Sequence, residues 1–267
     1  MDSSSHDNMS FLEHLEELRW HIIRSLIAIV SAGFICFLMK DFIFDTIIFG
    51  PKKMDFPTYK FLCQAATFIG VETTFCGDEF PFIVQNRTMA GQFSAHVMTS
   101  IISGFIISFP YILYEFWKFI SPGLLEKEKA KSRGFILISS LLFFIGVLFG
   151  YYIISPLSIN FLGTYQVSSQ VLNEIDLGSF ISLVRSSAIA SGIIFELPII
   201  IILLLVSNAV TVSKLISARP YVFLGCFVVG MLLTPPDVIS QSLLAIPAWL
   251  LYELGIIVGR MLIRNKL

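Results

Sequence analysis

The chain has 267 residues, 55% of them hydrophobic and only 14% charged, with a mean hydropathy of +0.81. Globular domains carry about 25% charged residues, so a water-solvated domain is excluded and most of the surface must face lipid. A net charge of -1, from 18 Lys and Arg against 19 Asp and Glu, supplies no bulk field for nucleic acid, and no nucleic-acid partner is expected.

Charged residues punctuate the chain and divide it into elements. Ser10, with Glu13 three residues later, reads as a capping box that opens an amphipathic helix over 10–19. Phe11, Leu15 and Leu18 form its apolar stripe, and Glu13, Glu16 and Glu17 its acidic side. A first membrane span follows over about 20–39, with Arg24 near its start. After a long segment over 40–90, the apolar runs at about 91–118 and 134–155 supply the second and third spans, Pro156 ending the latter. The fourth, about 178–206, contains both Arg185 and Glu196. The fifth and sixth are placed at about 220–234 and 238–258, joined by Pro235-Pro236-Asp237, with Asp237 a candidate helix cap. A fifth span starting at Pro220 would be about 22 Å long against about 30 Å of hydrocarbon, so it would have to thin the bilayer. The expected fold is therefore an all-α integral membrane domain over 1–267 with six transmembrane helices, the last two short.

Loop cations set the expected orientation. Lys118, Lys127, Lys129, Lys131 and Arg133 cluster after the second span, Lys214 and Arg219 precede the fifth, and Arg260, Arg264 and Lys266 follow the sixth. The 156–177 loop has neither Lys nor Arg. By the positive-inside rule both termini are cytoplasmic and the long 40–90 loop, with mixed charge, is external. An acidic N-terminus argues against a cleaved signal peptide.

The residues offer little conventional catalysis. The four Cys (Cys36, Cys63, Cys76, Cys226) show no CxxC spacing and the four His no HExxH pair, so no metal is expected. No GxSxG, P-loop or GxGxxG occurs, and neither an enzymatic role nor a cofactor is expected. Cys63 and Cys76 both fall in the loop assigned outside, where oxidation is permitted, and are candidates for a disulfide; two free thiols are the alternative, because spacing does not prove pairing. Glu196 falls near mid-bilayer, where an ionised acid costs about 2.5 to 3.5 kcal/mol. It must face a wet or protein-lined cavity, or be a neutral carboxyl bonded to a neighbouring helix. Arg185 is 11 residues away, about 16 Å along the axis, and is expected to snorkel outward rather than pair with it.

Four stretches resemble the TatC family, the polytopic subunit of the twin-arginine protein translocase: Phe11-Leu12-Glu13-His14-Leu15-Glu16-Glu17-Leu18-Arg19; Glu115 through Leu124 with Glu128 after it; Phe195-Glu196-Leu197-Pro198; and Arg219-Pro220-Tyr221 through Gly230-Met231-Leu232-Leu233-Thr234-Pro235-Pro236-Asp237 to Gln241. The resemblance covers nearly the whole chain; the first external loop is longer than in the family's better-known members. It implies a receptor in the bacterial inner membrane that binds twin-arginine signal peptides of folded cargo and recruits single-span TatA- and TatB-type subunits into an oligomeric complex. Glu17 and Glu128 match the family's signal-binding carboxylates, and Phe119 and Pro122 match positions that shape the same cytoplasmic loop. Met231, Thr234, Gln241 and Glu253 match positions that dock partner helices. Without the resemblance, the acidic face reads as a solvated helix surface, Glu128 as one charge of an alternating run, Phe119 as an interfacial aromatic, Pro122 as a helix stop, and Thr234 and Gln241 as internal hydrogen-bonding groups. A secondary transporter would also use a mid-membrane acid, but the two related halves it should show are absent from the sequence.

Overall fold

The computed structural model describes residues 11–70, 76–77, 80–120, 132–168, 170–171, 173–207, 209–233 and 238–264. Among the described residues six helices are long and apolar enough to cross a membrane: Leu15–Leu38, Gly91–Phe119, Gly134–Thr164, Leu177–Val206, Val212–Met231 and Gln241–Leu262. Helices are the expected solution, since hydrocarbon offers no partner to an unpaired backbone N–H or C=O. Their large side chains are left outward: Val30, Phe34, Leu137 and Leu224 are all more than 60% exposed, as suits lipid contact. The chain divides into two compact units, residues 1–39 with 100–140, and residues 40–99 with 141–267.

In the first unit, helix α1 (Phe11–Leu38) runs unbroken from the acidic segment into the first span and packs on the later part of α3 (Gly91–Ile120). The backbones come so close that a Cβ on Gly104 would fall 2.5 Å from the Gly33 nitrogen. Glycines at that crossing replace side-chain packing with backbone contact, a common device in lipid, where no hydrophobic effect drives helices together. Ser108 Oγ donates to the Ala28 carbonyl at 3.0 Å across the same seam. Trp117 lies 4.4 Å from Phe135, centroid to centroid, with Phe135 in helix α4 (Ser132–Phe149).

The second unit contains the long first loop, which is folded. It holds a π-helical turn (Phe42–Ile48), a 3-10 turn (Gly50–Lys52), helix α2 (Pro57–Ile69) and strand β1 (Ile83–Gln85). Pro57 sits in the first turn of α2, where its missing N–H costs nothing, and Gly70 ends the helix at φ 77°. Tyr59 is wholly buried, with its hydroxyl 2.9 Å from both the Pro51 and Pro156 carbonyls. Cys63 is disulfide-bonded to Cys76, Cα to Cα 5.1 Å. Strand β1 pairs in parallel with β2 (Glu174–Asp176), Val84 opposite Ile175.

Pro156 does not end the third span. Past α4 the chain widens into a π turn (Gly150–Ile154) and continues as α5 (Ser155–Thr164). The Tyr152 carbonyl, which an N–H at 156 would have taken, instead accepts from the Thr58 hydroxyl. The Gly150 carbonyl accepts from the Ser155 amide and also from the Ser155 hydroxyl at 2.9 Å. Helix α6 (Leu177–Phe195) starts at an Asp176 cap, whose carboxylate accepts from the Gly178 and Ser179 N–H groups. It gives way at Glu196 to α7 (Leu197–Val206), with Pro198 in the first turn.

The last two apolar stretches, Val212–Met231 and Gln241–Leu262, are the shortest of the six among the described residues, but their helices extend beyond the expected bounds of 220–234 and 238–258. Helix α8 covers Val212–Leu233, 22 residues or about 33 Å, and α9 covers Val238–Arg264, 27 residues. Pro220 lies inside α8 rather than at its start, and the charge of Arg219, which had suggested a loop, is met by Glu253 of α9 at 2.6 Å. Helix α9 packs against α7 and α8. Its Gly255 and Gly259 face Ile201 and Leu205, and Ala245 and Ala248 join Ile154, Ala190, Ile194 and Leu244 in a buried cluster.

Candidate functional site

Two turns into α1, Glu16 and Glu17 line a cavity of about 520 Å³ together with Trp20, His21, Arg24 and Lys118. The helical period places Glu17, Trp20, His21 and Arg24 on one side of α1. The Arg19 guanidinium lies 5.7 Å from the centroid of the Trp20 ring. Beneath the cavity Glu115 of α3 is buried, 3% exposed. Its Oε2 meets His21 Nδ1 at 2.5 Å and Arg24 Nη1 at 3.6 Å. An ionised acid in that position needs partners, and the two cations or donors of α1 supply them.

The consequence is electrostatic. His21 and Arg24, the two basic groups of α1 that line the cavity, are both directed at Glu115, while neither Glu16 nor Glu17 forms an ion pair among the described residues. Two carboxylates are therefore left in the lining of a cavity that they share with Trp20 and Lys118. A guanidinium is always charged and presents a planar fork that matches a carboxylate bidentately. Phe119 stands beside this group, its ring centroid 6.1 Å from that of His21 and edge-on at 64°.

The structure brings Glu17 and Phe119 to the same end of the first unit, whereas Pro122, Glu128 and Thr234 lie outside the described residues. Glu196 is 9% exposed at the α6–α7 junction. Its amide donates to the Ile193 carbonyl at 3.1 Å and its carbonyl accepts from the Ile200 amide at 3.0 Å, so Pro198 is bridged rather than left as a gap. Met231 is 56% exposed on α8. Gln241 donates to the Phe227 carbonyl at 2.9 Å, tying α9 to α8. Glu253 accepts from Arg219, and its Oε1 is buried without a hydrogen-bond partner among the described residues. Sequence reasoning missed Glu115 and its partners His21 and Arg24. Glu115 stood inside a matched stretch, and a carboxylate in an otherwise apolar run was the signal that asked for a partner.

Six apolar helices among the described residues, two of whose arginines meet acids of neighbouring helices, fit a multi-pass membrane protein. The family model described as Sec-independent protein translocase protein (TatC) matches residues 13–247. The chain is 40% identical over 261 residues to the Sec-independent protein translocase protein TatC of Blattabacterium sp. subsp. Periplaneta americana (strain BPLAN), covering 97% of this chain and 98% of that one. It is 34% identical to the TatC of Escherichia coli (strain K12), covering 96% and 90%. A crystal structure of the twin-arginine translocase receptor TatC superposes with a TM-score of 0.72 at 31% identity, covering 93% of this chain and 99% of that one. A second, in DDM, gives 0.74 at 33% identity, covering 92% and 99%. The chain belongs to the TatC family and is a protein-translocation component rather than an enzyme.

Proposed function

We propose that this protein is the signal-peptide receptor of a twin-arginine translocase in a bacterial inner membrane, with both termini cytoplasmic. The observation that carries the reading is the cavity lined by Glu16 and Glu17, neither of which forms an ion pair among the described residues, while His21 and Arg24 turn to Glu115. In this reading Glu17 and Glu128 each take one guanidinium of the consecutive arginine pair, Phe119 and Pro122 hold the shape of the loop that carries Glu128, and the signal's apolar stretch lies against the exposed side of α1. Exposed ion pairs are worth only about 0 to 1 kcal/mol each, so affinity depends on two bidentate pairs in fixed geometry beside low-dielectric lipid. Single-span TatA- and TatB-type subunits dock along α8 and α9 at Met231, Thr234, Gln241 and Glu253, where the exposed Met231 offers an apolar contact.

The test is titration of the full-length protein in nanodiscs with a fluorescent twin-arginine peptide. Glu17→Ala should weaken binding about tenfold, the worth of a charge-assisted hydrogen-bonded pair, and Glu16→Ala by less. Unchanged affinity in the Glu16, Glu17 double Ala variant would leave the acidic face as a solvated surface.

A further inference from the structure

Arg185 is a cation in a membrane-spanning helix that has no ion pair among the described residues. It lies eight residues past Leu177, about 12 Å along α6 from its first residue. Among the described residues no ion pair or hydrogen bond joins it to another group. The other span cations with a described partner have an acid: Arg24 has Glu115 and Arg219 has Glu253. The nearest acids on its N-terminal side are already used. Glu174 pairs with Arg87 at 3.1 Å, and the Asp176 carboxylate caps α6 through Gly178 and Ser179.

Arg185 instead lines a cavity of about 390 Å³, together with Thr88, Ser94, Ala95, Met98 and Ile181, all in the second unit. No carboxylate lines it; Asp41 and Asp45 line a neighbouring cavity that shares Ala95 and Ile181. The lining thus offers a guanidinium fork and the hydroxyls of Thr88 and Ser94 alongside apolar side chains. Phosphate oxygens match the fork and accept from hydroxyls, while Ala95, Met98 and Ile181 suit the glycerol and the first methylenes of an acyl chain.

We propose that this cavity binds a phosphate group, supplied by the headgroup of a phospholipid at the boundary of the membrane on the β1–β2 side. The ligand neutralises Arg185 where the protein does not, and it seats between the segment that opens α3 and the first turns of α6. The site is independent of the signal-peptide reading, which concerns the first unit.

Thermal unfolding of the delipidated full-length protein in detergent tests this with three probes: dioleoyl phosphatidylglycerol, dioleoylglycerol and inorganic phosphate. Phosphatidylglycerol should raise the midpoint in a saturable way and dioleoylglycerol should not. Arg185→Gln should shift the half-saturating concentration upward about tenfold, and Thr88→Val should shift it less. Because Arg185→Gln removes a charge from a span, insertion should be preserved, and wild-type abundance of the variant checks this. Arg87→Gln, a change at the neighbouring exposed cation, should leave the response as in wild type. An equal response to inorganic phosphate would keep the phosphate site and assign its source to the free ion. Equal stabilisation by dioleoylglycerol, or an unaltered phosphatidylglycerol response in Arg185→Gln, overturns the proposal.

Discussion

Glu115 shows how one buried side chain shapes the chemistry of a surface it does not reach. By taking His21 and Arg24 it leaves Glu16 and Glu17 as the acidic lining of the cavity. Glu115→Ala should destabilise the protein by about 3 kcal/mol, since it strands a largely buried imidazole while the half-exposed Arg24 rehydrates cheaply. Glu115→Gln retains an acceptor and should cost about 1 kcal/mol; unfolding of the variants in mixed micelles measures both. The partnership was hidden in the sequence because 94 positions separate His21 from Glu115, and only the α1–α3 crossing brings them together. Tyr59 makes a second residue-scale prediction. Burial pushes its phenol above the ordinary value, so its contribution is complete below about pH 10 and is lost as pH rises beyond it, when the buried hydroxyl must ionise. Tyr59→Phe should cost about 1 to 3 kcal/mol at neutral pH by leaving the Pro51 and Pro156 carbonyls short of a donor, and should flatten that alkaline loss. A wild-type alkaline midpoint and slope in the variant would contradict it.

At the scale of elements, the span count was legible because it rests on hydropathy, which the bilayer enforces residue by residue. The ends of the spans were less so. Pro156 and Pro220 read as helix boundaries, yet a hydroxyl from Thr58 takes up the carbonyl freed before Pro156, and an acid from α9 accommodates Arg219 beside Pro220. Both rescues are long-range and leave no local trace. The fold of the 40–90 loop was likewise unread, although Pro57 and Gly70 are ordinary start and stop signals for α2. The Cys63–Cys76 bond closes the C-terminal half of α2 onto the following chain, and cross-linking a loop of this size is worth about 3 kcal/mol. Reductant should therefore lower the melting temperature of the wild type and leave Cys63→Ser, already lowered, unmoved. At the α1–α3 crossing there is no space for a side chain, so Gly104→Leu should separate the helices. Loss of the folded band on size-exclusion chromatography, with Gly225→Leu unaffected because nothing lies within 4 Å of a Cβ there, checks that assignment.

For the whole molecule, the account is of a multi-pass membrane protein in which Arg24 and Arg219 meet acids of neighbouring helices, Glu16 and Glu17 line a cavity, Glu196 is buried at a helix break and Arg185 lines a cavity of its own. Glu196→Gln should leave abundance unchanged, since it lowers the cost of insertion, while reducing transport of a folded reporter; wild-type transport would make Glu196 a structural acid only. The central proposal, recognition of paired arginines by Glu17 and Glu128, is tested most directly by a double-mutant cycle on signal-peptide affinity. Wild type, Glu17→Ala, Glu128→Ala and the double variant would each be titrated with a twin-arginine peptide and its twin-lysine counterpart. Lysine keeps the charge but loses the planar fork. The account predicts that wild type binds the arginine peptide about tenfold or more tightly than the lysine one, that each single variant loses most of this preference, and that the two losses are coupled rather than additive. Equal affinity of wild type for the two peptides, or wild-type affinity in the double variant, would contradict it.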